Sequence, residues 1–237
     1  MTDIDRPGEI QSDGRGVHAK DIEEPDPPSA PGSGRLEVLF GGGGDPLVFG
    51  LPVFVSGSLV LGFALIGGVP IPSSLGSVLA ATTFATGLGE FVTALWSIGL
   101  GESVVAAIFG LFAAFWFSLF AVVLGLPAPA GHNWFNIPTA QVTATLEMFF
   151  LAWLIIFVFL TIGILRLPLS YVLIMVFVDV AVLFVLLGVA VSPALFVVGG
   201  AGVLAFCAVG LYAFLHTAWA ATGATRGLPP LGRPVIR

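Results

Sequence analysis

Long apolar segments follow one another along most of the chain, separated by short stretches rich in glycine, proline and polar residues. Each segment is roughly 20 residues long, the length that an α-helix needs to cross the hydrocarbon core of a bilayer. None alternates polar with apolar residues, as a membrane-spanning β-strand does. The pattern predicts an all-α integral membrane protein with six transmembrane helices. These helices are predicted near residues 47–67, 75–98, 103–124, 140–165, 169–190 and 194–222.

Polar residues recur in the second segment at Thr82, Thr86, Glu90, Thr93 and Ser97. Residues three or four positions apart share one face of an α-helix, so these five form a polar stripe on an otherwise apolar helix. Such a stripe either lines a wet path or packs against another helix. Because a charge is costly to bury in a membrane, Glu90 is a candidate functional residue.

The composition supports a membrane protein and narrows its partners. Of the 237 residues 57% are hydrophobic and 9% are charged, whereas soluble domains carry about 25% charged residues. The single cysteine, Cys207, allows no internal disulfide and no multi-cysteine metal site. The sequence contains no basic patch of the kind that binds nucleic acid. We expect a lipid bilayer as the surroundings, and no metal, cofactor or nucleic acid.

The chain divides into three parts by composition. Residues 1–44 are acidic, rich in proline, glycine and serine, and nearly free of aromatic residues. Such a segment cannot bury enough apolar surface to offset the entropy lost on folding, so we predict a disordered tail. Residues 45–223 form the predicted transmembrane domain, and residues 224–237 form a short C-terminal tail.

The basic residues predict the orientation. With six spans, the four basic residues of the N-terminal tail, Arg166 and the three arginines of the C-terminal tail all fall on one side. Under the positive-inside rule this side is cytoplasmic, and both termini lie there.

The start of the first segment carries a recognisable motif. The sequence from Asp45 to Leu51, DPLVFGL, contains Pro46 and Gly50 and is followed by Phe54. It resembles the Asn-Pro-Ala-Pro-Leu-Gly-Leu signature of the acetate uptake transporter family, which includes the succinate–acetate permeases. The resemblance covers roughly residues 45–235. Further matches in order and spacing are Gly87, Glu90, Gly101, the pair Phe115-Trp116, Trp153, Gly163, Gly200 and Tyr212.

The resemblance implies a six-helix protomer that assembles into a homo-hexamer, each protomer with its own path for small monocarboxylates. In the family the path narrows at apolar and aromatic side chains. By position, Phe54 matches the constriction phenylalanine, Phe112 its tyrosine and Val180 its leucine. Gly210 matches a small residue associated with substrate choice. Without the resemblance, ordinary packing is the preferred interpretation of Phe54, Phe112 and Val180.

Several departures from the family pattern add carboxyl groups. Asp45 replaces the signature asparagine, Glu90 a glutamine, and Asp179 a neutral small polar residue. Ionised carboxylates would repel acetate, whereas protonated carboxyls would serve as proton sites or hydrogen-bond donors. No lysine or arginine lies within the spans away from their ends. This favours passage of the protonated acid, or of a different solute.

These observations predict a non-enzymatic transporter or channel in the plasma membrane of a bacterium. Its substrate would be a small monocarboxylate such as acetate, carried as the protonated acid or together with protons. The alternatives are a membrane assembly subunit, an intramembrane enzyme that uses Glu90 and Asp179, or a transporter of another small solute. The enzyme is disfavoured because the sequence lacks a recognisable nucleophile paired with a general base and lacks a cofactor motif.

Overall fold

The computed structural model describes residues 43–67, 78–126 and 134–236, and these ranges contain helices but no strands. The predicted all-α fold class is confirmed, with each predicted segment matched by one helix. The disordered tail was predicted over residues 1–44, and residues 1–42 lie outside the described ranges. Residues 75–77, the predicted start of the second segment, also lie outside them. The helices are α1 (Leu47–Leu65), α2 (Ala80–Gly99), α3 (Ser103–Gly125), α4 (Thr139–Gly163), α5 (Leu169–Ala190) and α6 (Phe196–Ala221), the last preceded by a 3-10 turn at Pro193–Leu195.

Five of these helices are long and apolar enough to cross a membrane, and α2 falls outside this set. With 20 residues α2 has the required length, but its threonines, glycines and Glu90 lower its mean hydropathy. The side chains on one face of α2 are buried and polar, whereas its exposed side chains include Phe84, Leu88 and Phe91. The architecture is consistent with a multi-pass membrane protein in which α2 turns its polar face inward.

The helices form a ring around an interior space. Close packing runs in the order α3, α2, α1, α6, α5, α4. The backbones of α3 and α4 do not approach each other closely, and aromatic side chains close the ring between these two helices. The Phe115 ring lies 5.5 Å from Trp153 and 5.4 Å from Phe157, measured between ring centroids. These large side chains hold the two helices apart, which leaves room inside the ring.

Small residues bring the other helices together. A Cβ atom at Gly57 of α1 would overlap Oγ1 of Thr86 on α2, so only glycine allows this approach. A Cβ at Gly202 of α6 would lie 3.3 Å from backbone atoms of Ala181 on α5. Glycines at these positions therefore allow close helix packing.

The C-terminal segment folds back onto one end of the ring. The backbone N–H and the hydroxyl of Ser170 both donate to the carbonyl oxygen of Leu231, at 2.9 and 2.8 Å. The backbone N–H of Val235 donates to the carbonyl oxygen of Leu165 at 3.1 Å. The tail after α6 is therefore attached to the turn between α4 and α5.

Candidate functional site

Four phenylalanine rings meet at mid-height inside the ring of helices. Phe54 of α1 and Phe112 of α3 pack edge to face, with centroids 4.9 Å apart. Phe206 of α6 stacks on Phe54 at 5.2 Å, and Phe157 of α4 stacks on Phe112 at 4.8 Å. All four side chains are at most 5% exposed. We call these four residues the aromatic cluster.

A cavity lies on either side of the aromatic cluster. The larger one, about 430 Å³, extends toward the bundle end formed by Leu65, Leu126 and Phe196. The smaller one, about 50 Å³, extends toward the opposite end. Phe54 and Phe112 line both cavities, so their rings form the partition between them.

The walls of the cavities are almost entirely apolar. Among the described residues that line the larger cavity, only Ser58 and Trp116 carry a polar side-chain atom. The Ser58 hydroxyl donates to the carbonyl oxygen of Phe54 at 2.7 Å, so its remaining capacity is to accept a hydrogen bond. No lysine, arginine, aspartate or glutamate is among the described lining residues of either cavity. These walls offer no charge to an anion, but they can surround a neutral molecule.

Glu90 lies on α2, outside both cavities, and its side chain is 0% exposed. Neither carboxyl oxygen has a hydrogen-bond partner among the described residues. The indole N–H of Trp116 on α3 is directed at the Glu90 carboxyl, but the contact falls short of full hydrogen-bond geometry. A buried carboxyl without a partner costs far less in its neutral form than as a carboxylate. Burial between α2 and α3 without a full hydrogen bond therefore favours the neutral form of Glu90 over the carboxylate.

The polar stripe of α2 packs against neighbouring helices and does not line the cavities. Thr86, Glu90, Thr93 and Ser97 are buried as predicted, but Thr82 is half-exposed and Thr83 takes its place. The buried positions 83, 86, 90, 93 and 97 are three and four residues apart in alternation. This spacing follows the 3.6-residue repeat of the helix better than the predicted start, in which two spacings of four come in succession. Of the two predicted roles, helix packing is the one that the structure supports.

Asp179 lies on α5 and faces Thr161 of α4. The Thr161 hydroxyl oxygen lies 2.7 Å from Oδ2 of Asp179 and 2.9 Å from the carbonyl oxygen of Phe157. The other carboxyl oxygen, Oδ1, is buried without a partner in the described part of the chain. Asp179 does not line either cavity. The predicted polar path through Thr86, Glu90 and Asp179 is thus not assembled around the cavities.

The sequence of residues 41–229 matches the GPR1/FUN34/yaaH family. The chain belongs to this family. The predicted resemblance to the acetate uptake transporters is confirmed by this match. The solved structure of the bacterial acetate channel SatP resembles the chain with a TM-score of 0.66 and 18% sequence identity, covering 80% of this chain and 99% of that one. At this identity the likeness shows a shared fold. No curated protein sequence matches the chain.

The GPR1/FUN34/yaaH signature residues surround the start of α1. Asp45 is exposed, and its Oδ1 accepts a hydrogen bond of 2.8 Å from the backbone N–H of Leu47. Pro46 is buried at the first turn, and Leu51 lines the smaller cavity. A Cβ at Gly50 would lie 2.6 Å from the ring of Phe109 and from the methyl group of Thr93, so the glycine makes room for these two side chains. The signature shapes one end of the bundle.

Two residues carried over from the family pattern lie off the cavity walls. Val180 is half-exposed and lines neither cavity, whereas Val178 lines the larger one. Gly210 is buried where α6 meets α1, and a Cβ there would lie 2.9 Å from Val55. Sequence reasoning also missed Phe157, Phe206 and Ser58. The chain has 21 phenylalanines in apolar runs, and their spacing does not distinguish rings facing the cavity from rings facing outward.

The described residues show no grouping suited to a metal ion. In the ranges 43–67, 78–126 and 134–236, no three histidine, cysteine, aspartate or glutamate side chains lie close enough to hold one.

Proposed function

We propose that the protein is a membrane transporter or channel for small monocarboxylic acids such as acetate. The observation that carries the proposal is the pair of apolar cavities on either side of the rings of Phe54 and Phe112. Membership of the GPR1/FUN34/yaaH family and the fold shared with an acetate channel support it. In this scheme a solute enters one cavity, passes the aromatic cluster and leaves through the other.

The solute passes as the neutral, protonated acid. An ionised carboxylate without a partner costs tens of kcal/mol in an apolar medium, whereas an unpaired neutral polar group costs about 2–7 kcal/mol. The described cavity walls contain no cation that would offset the larger cost. The proton then travels on the acid itself, so a proton accompanies each acetate without a titrating carboxyl on the protein. Glu90 and Asp179 are proposed as buried protonated acids beside the path.

The aromatic cluster acts as the constriction. The rings of Phe54 and Phe112 lie between the two cavities, and we propose that they rotate to let the solute pass. On α5 we assign the wall position to Val178 instead of Val180, because Val178 lines the cavity. Gly210 acts indirectly, by setting the distance between α6 and α1.

We propose that all six helices cross the plasma membrane with both termini in the cytoplasm. Arg166 follows α4, and the C-terminal segment that carries Arg226 and Arg233 is bonded to the same turn. The basic residues of the described chain therefore gather at one end, as the positive-inside rule requires of a cytoplasmic surface. The apolar side chains exposed on α2 and α4, such as Phe91 and Phe159, suit lipid or the neighbouring protomers of a homo-hexamer.

A transporter of another small neutral solute is the second candidate. The observation that favours it is the lining itself, because an apolar wall does not distinguish a protonated acid from other neutral molecules of similar size. Comparing the transport rate of acetic acid with that of an amide or alcohol of the same length distinguishes the two candidates.

The test measures acidification of the lumen of proteoliposomes loaded with a pH-sensitive dye after acetate is added. We expect faster acidification than in empty liposomes. Phe54→Ala opens the partition and should raise the rate several-fold. Phe49→Ala, an exposed phenylalanine of the same helix, is the matched control and should leave the rate unchanged. Acidification no faster than in empty liposomes would disprove the proposal, and equal rates for the two variants would remove Phe54 from the path.

A further inference from the structure

The larger cavity is too large for acetic acid alone. Its volume is about 430 Å³, whereas an engineered apolar cavity of about 150 Å³ already holds a benzene molecule. Acetic acid has fewer heavy atoms than benzene and would leave most of the space empty. The unfilled part of the apolar wall would have no ligand atoms in contact with it. The volume suits a ligand with a longer apolar part.

The cavity is also long. On α1 its wall runs from Phe54 at the aromatic cluster to Leu65 near the helix end, three helical turns or roughly 16 Å along the axis. On α5 it runs over the same distance, from Val178 to Val189. Apart from Ser58 and Ala181, the wall between these ends on α1 and α5 consists of branched aliphatic side chains. An apolar space of this length fits an extended alkyl chain.

Ser58 is the hydroxyl group at the end of the cavity that meets the aromatic cluster, whereas the other polar side chain of the described wall, Trp116, directs its indole N–H toward Glu90. Ser58 lies one turn beyond Phe54 on α1 and is 0% exposed. Because its hydroxyl proton is used in the bond to the Phe54 carbonyl oxygen, Ser58 can only accept from a ligand. A protonated carboxyl group offers one O–H donor, whereas a carboxylate offers none. The hydroxyl of Ser58 therefore matches the neutral acid.

We propose that this cavity binds a medium-chain monocarboxylic acid in its protonated form, such as octanoic acid. The carboxyl group donates to Oγ of Ser58, and the alkyl chain extends toward Leu65. The assignment of the polar head as a carboxylic acid rests on the proposed function, whereas the fit of the alkyl chain rests on the cavity alone. A bound medium-chain acid fills the path on one side of the aromatic cluster and blocks acetate.

The affinity should depend on the length of the chain. Each methylene buried in the cavity should strengthen binding about fourfold, which corresponds to about 0.8 kcal/mol. The series butanoic, hexanoic and octanoic acid should follow this increment. Methyl octanoate, which has the same chain but lacks the O–H donor, should bind more weakly than octanoic acid. Binding should also fall as the pH rises and octanoic acid ionises.

The experiment measures saturable binding of radiolabelled octanoic acid to the full-length protein in dioleoylphosphatidylcholine nanodiscs, with empty nanodiscs as background. Unlabelled acids and methyl octanoate serve as competitors. Val178→Phe fills the cavity and should weaken binding at least tenfold. Val176→Phe places the same side chain on the exposed face of α5 and should leave binding unchanged. Ser58→Ala should remove the preference for the acid over its ester, and Ser58→Thr should restore it.

Two outcomes would overturn the proposal. The first is no saturable binding above empty nanodiscs, or equal binding by the Val178→Phe and Val176→Phe proteins. The second is occupation by a membrane lipid. In nanodiscs with brominated acyl chains, a lipid chain inside the cavity would quench tryptophan fluorescence. Quenching that is relieved by Val178→Phe but not by octanoic acid would assign the cavity to lipid.

Acetate-driven acidification, measured with the same protein in liposomes, separates this inference from the proposed function. Acetate flux without octanoic acid binding refutes the medium-chain site alone. Octanoic acid binding without acetate flux refutes the transport function and leaves the alkyl-chain site in place.

Discussion

Thr161 and Asp179 join α4 to α5 through a single hydroxyl group. The Thr161 oxygen lies 2.7 Å from Oδ2 of Asp179 and 2.9 Å from the Phe157 carbonyl oxygen. A hydroxyl has one proton and a carbonyl oxygen can only accept. Both contacts are full hydrogen bonds only when the Asp179 carboxyl is protonated and donates to Thr161. The geometry thus favours a neutral aspartic acid at this helix contact.

The first prediction follows from this contact. Asp179→Asn should keep the bond, because the amide N–H can donate to Thr161, and the free energy of unfolding should change little. Thr161→Val removes the hydroxyl that Asp179 contacts and should lower the free energy of unfolding by about 1 kcal/mol. Unfolding in mixed micelles of increasing dodecyl sulfate content measures both variants. A loss of more than about 3 kcal/mol in Asp179→Asn would indicate that the carboxylate is the native form.

The second prediction concerns Glu90. Because it lies outside the cavities and its carboxyl has no partner in the described chain, Glu90→Gln should leave the dependence of acetate uptake on external pH unchanged. Initial uptake rates across a range of external pH in cells carrying each form provide the measurement. A flattened profile in Glu90→Gln, with exchange of labelled for unlabelled acetate preserved, would instead identify Glu90 as a proton carrier.

The third prediction tests helix packing with two glycine-to-alanine changes. Gly57→Ala places a methyl group against Thr86 and should destabilise the protein by about 1–3 kcal/mol. Gly110→Ala, on α3, meets its nearest atom at an ordinary 3.8 Å and should be neutral or stabilising by up to about 1 kcal/mol. The dodecyl sulfate unfolding assay compares them. Equal effects would mean that the contact between Gly57 and Thr86 does not limit the approach of α1 and α2.

The fourth prediction concerns topology. Reporter domains fused to either terminus should read as cytoplasmic, and a reporter inserted between α3 and α4, within residues 125–139, should read as external. A cytoplasmic signal from the inserted reporter would contradict the six-span arrangement. An insertion at residue 166, in the turn between α4 and α5, serves as the cytoplasmic reference.

The sequence predicted the helices well because their apolar runs have the length of a bilayer. It predicted the importance of Phe54 and Phe112 by position in the family pattern, and the structure brings these two rings together. It did not predict which other rings join them. Phe157 is 0% exposed and Phe159 is 71% exposed, although both lie in the same apolar run. That distinction depends on the rotation of α4 within the bundle, which a uniformly apolar helix does not reveal.

Residue positions along a helix were predicted less well than the helix itself. Val180 was expected at the constriction, but Val178 and Ala181 line the cavity. The stripe of α2 was predicted to begin at Thr82, and the buried residue is Thr83. An α-helix turns about 100° per residue, so an error of one or two positions moves a side chain from the cavity to another face. Only the packing of neighbouring helices fixes that rotation.

The low hydropathy of α2 has a consequence for how the protein is made. A segment that contains Glu90 gains little by entering lipid alone, because its carboxyl finds no partner on α2, whereas the hydroxyls of Thr83, Thr93 and Ser97 donate to carbonyl oxygens of the same helix. Its polar face is covered only when α1 and α3 are in place. The turn at residues 100–102 is short, so α2 and α3 can leave the translocation machinery together as a hairpin. Insertion of α2 during synthesis should therefore depend on the presence of the helix that follows it.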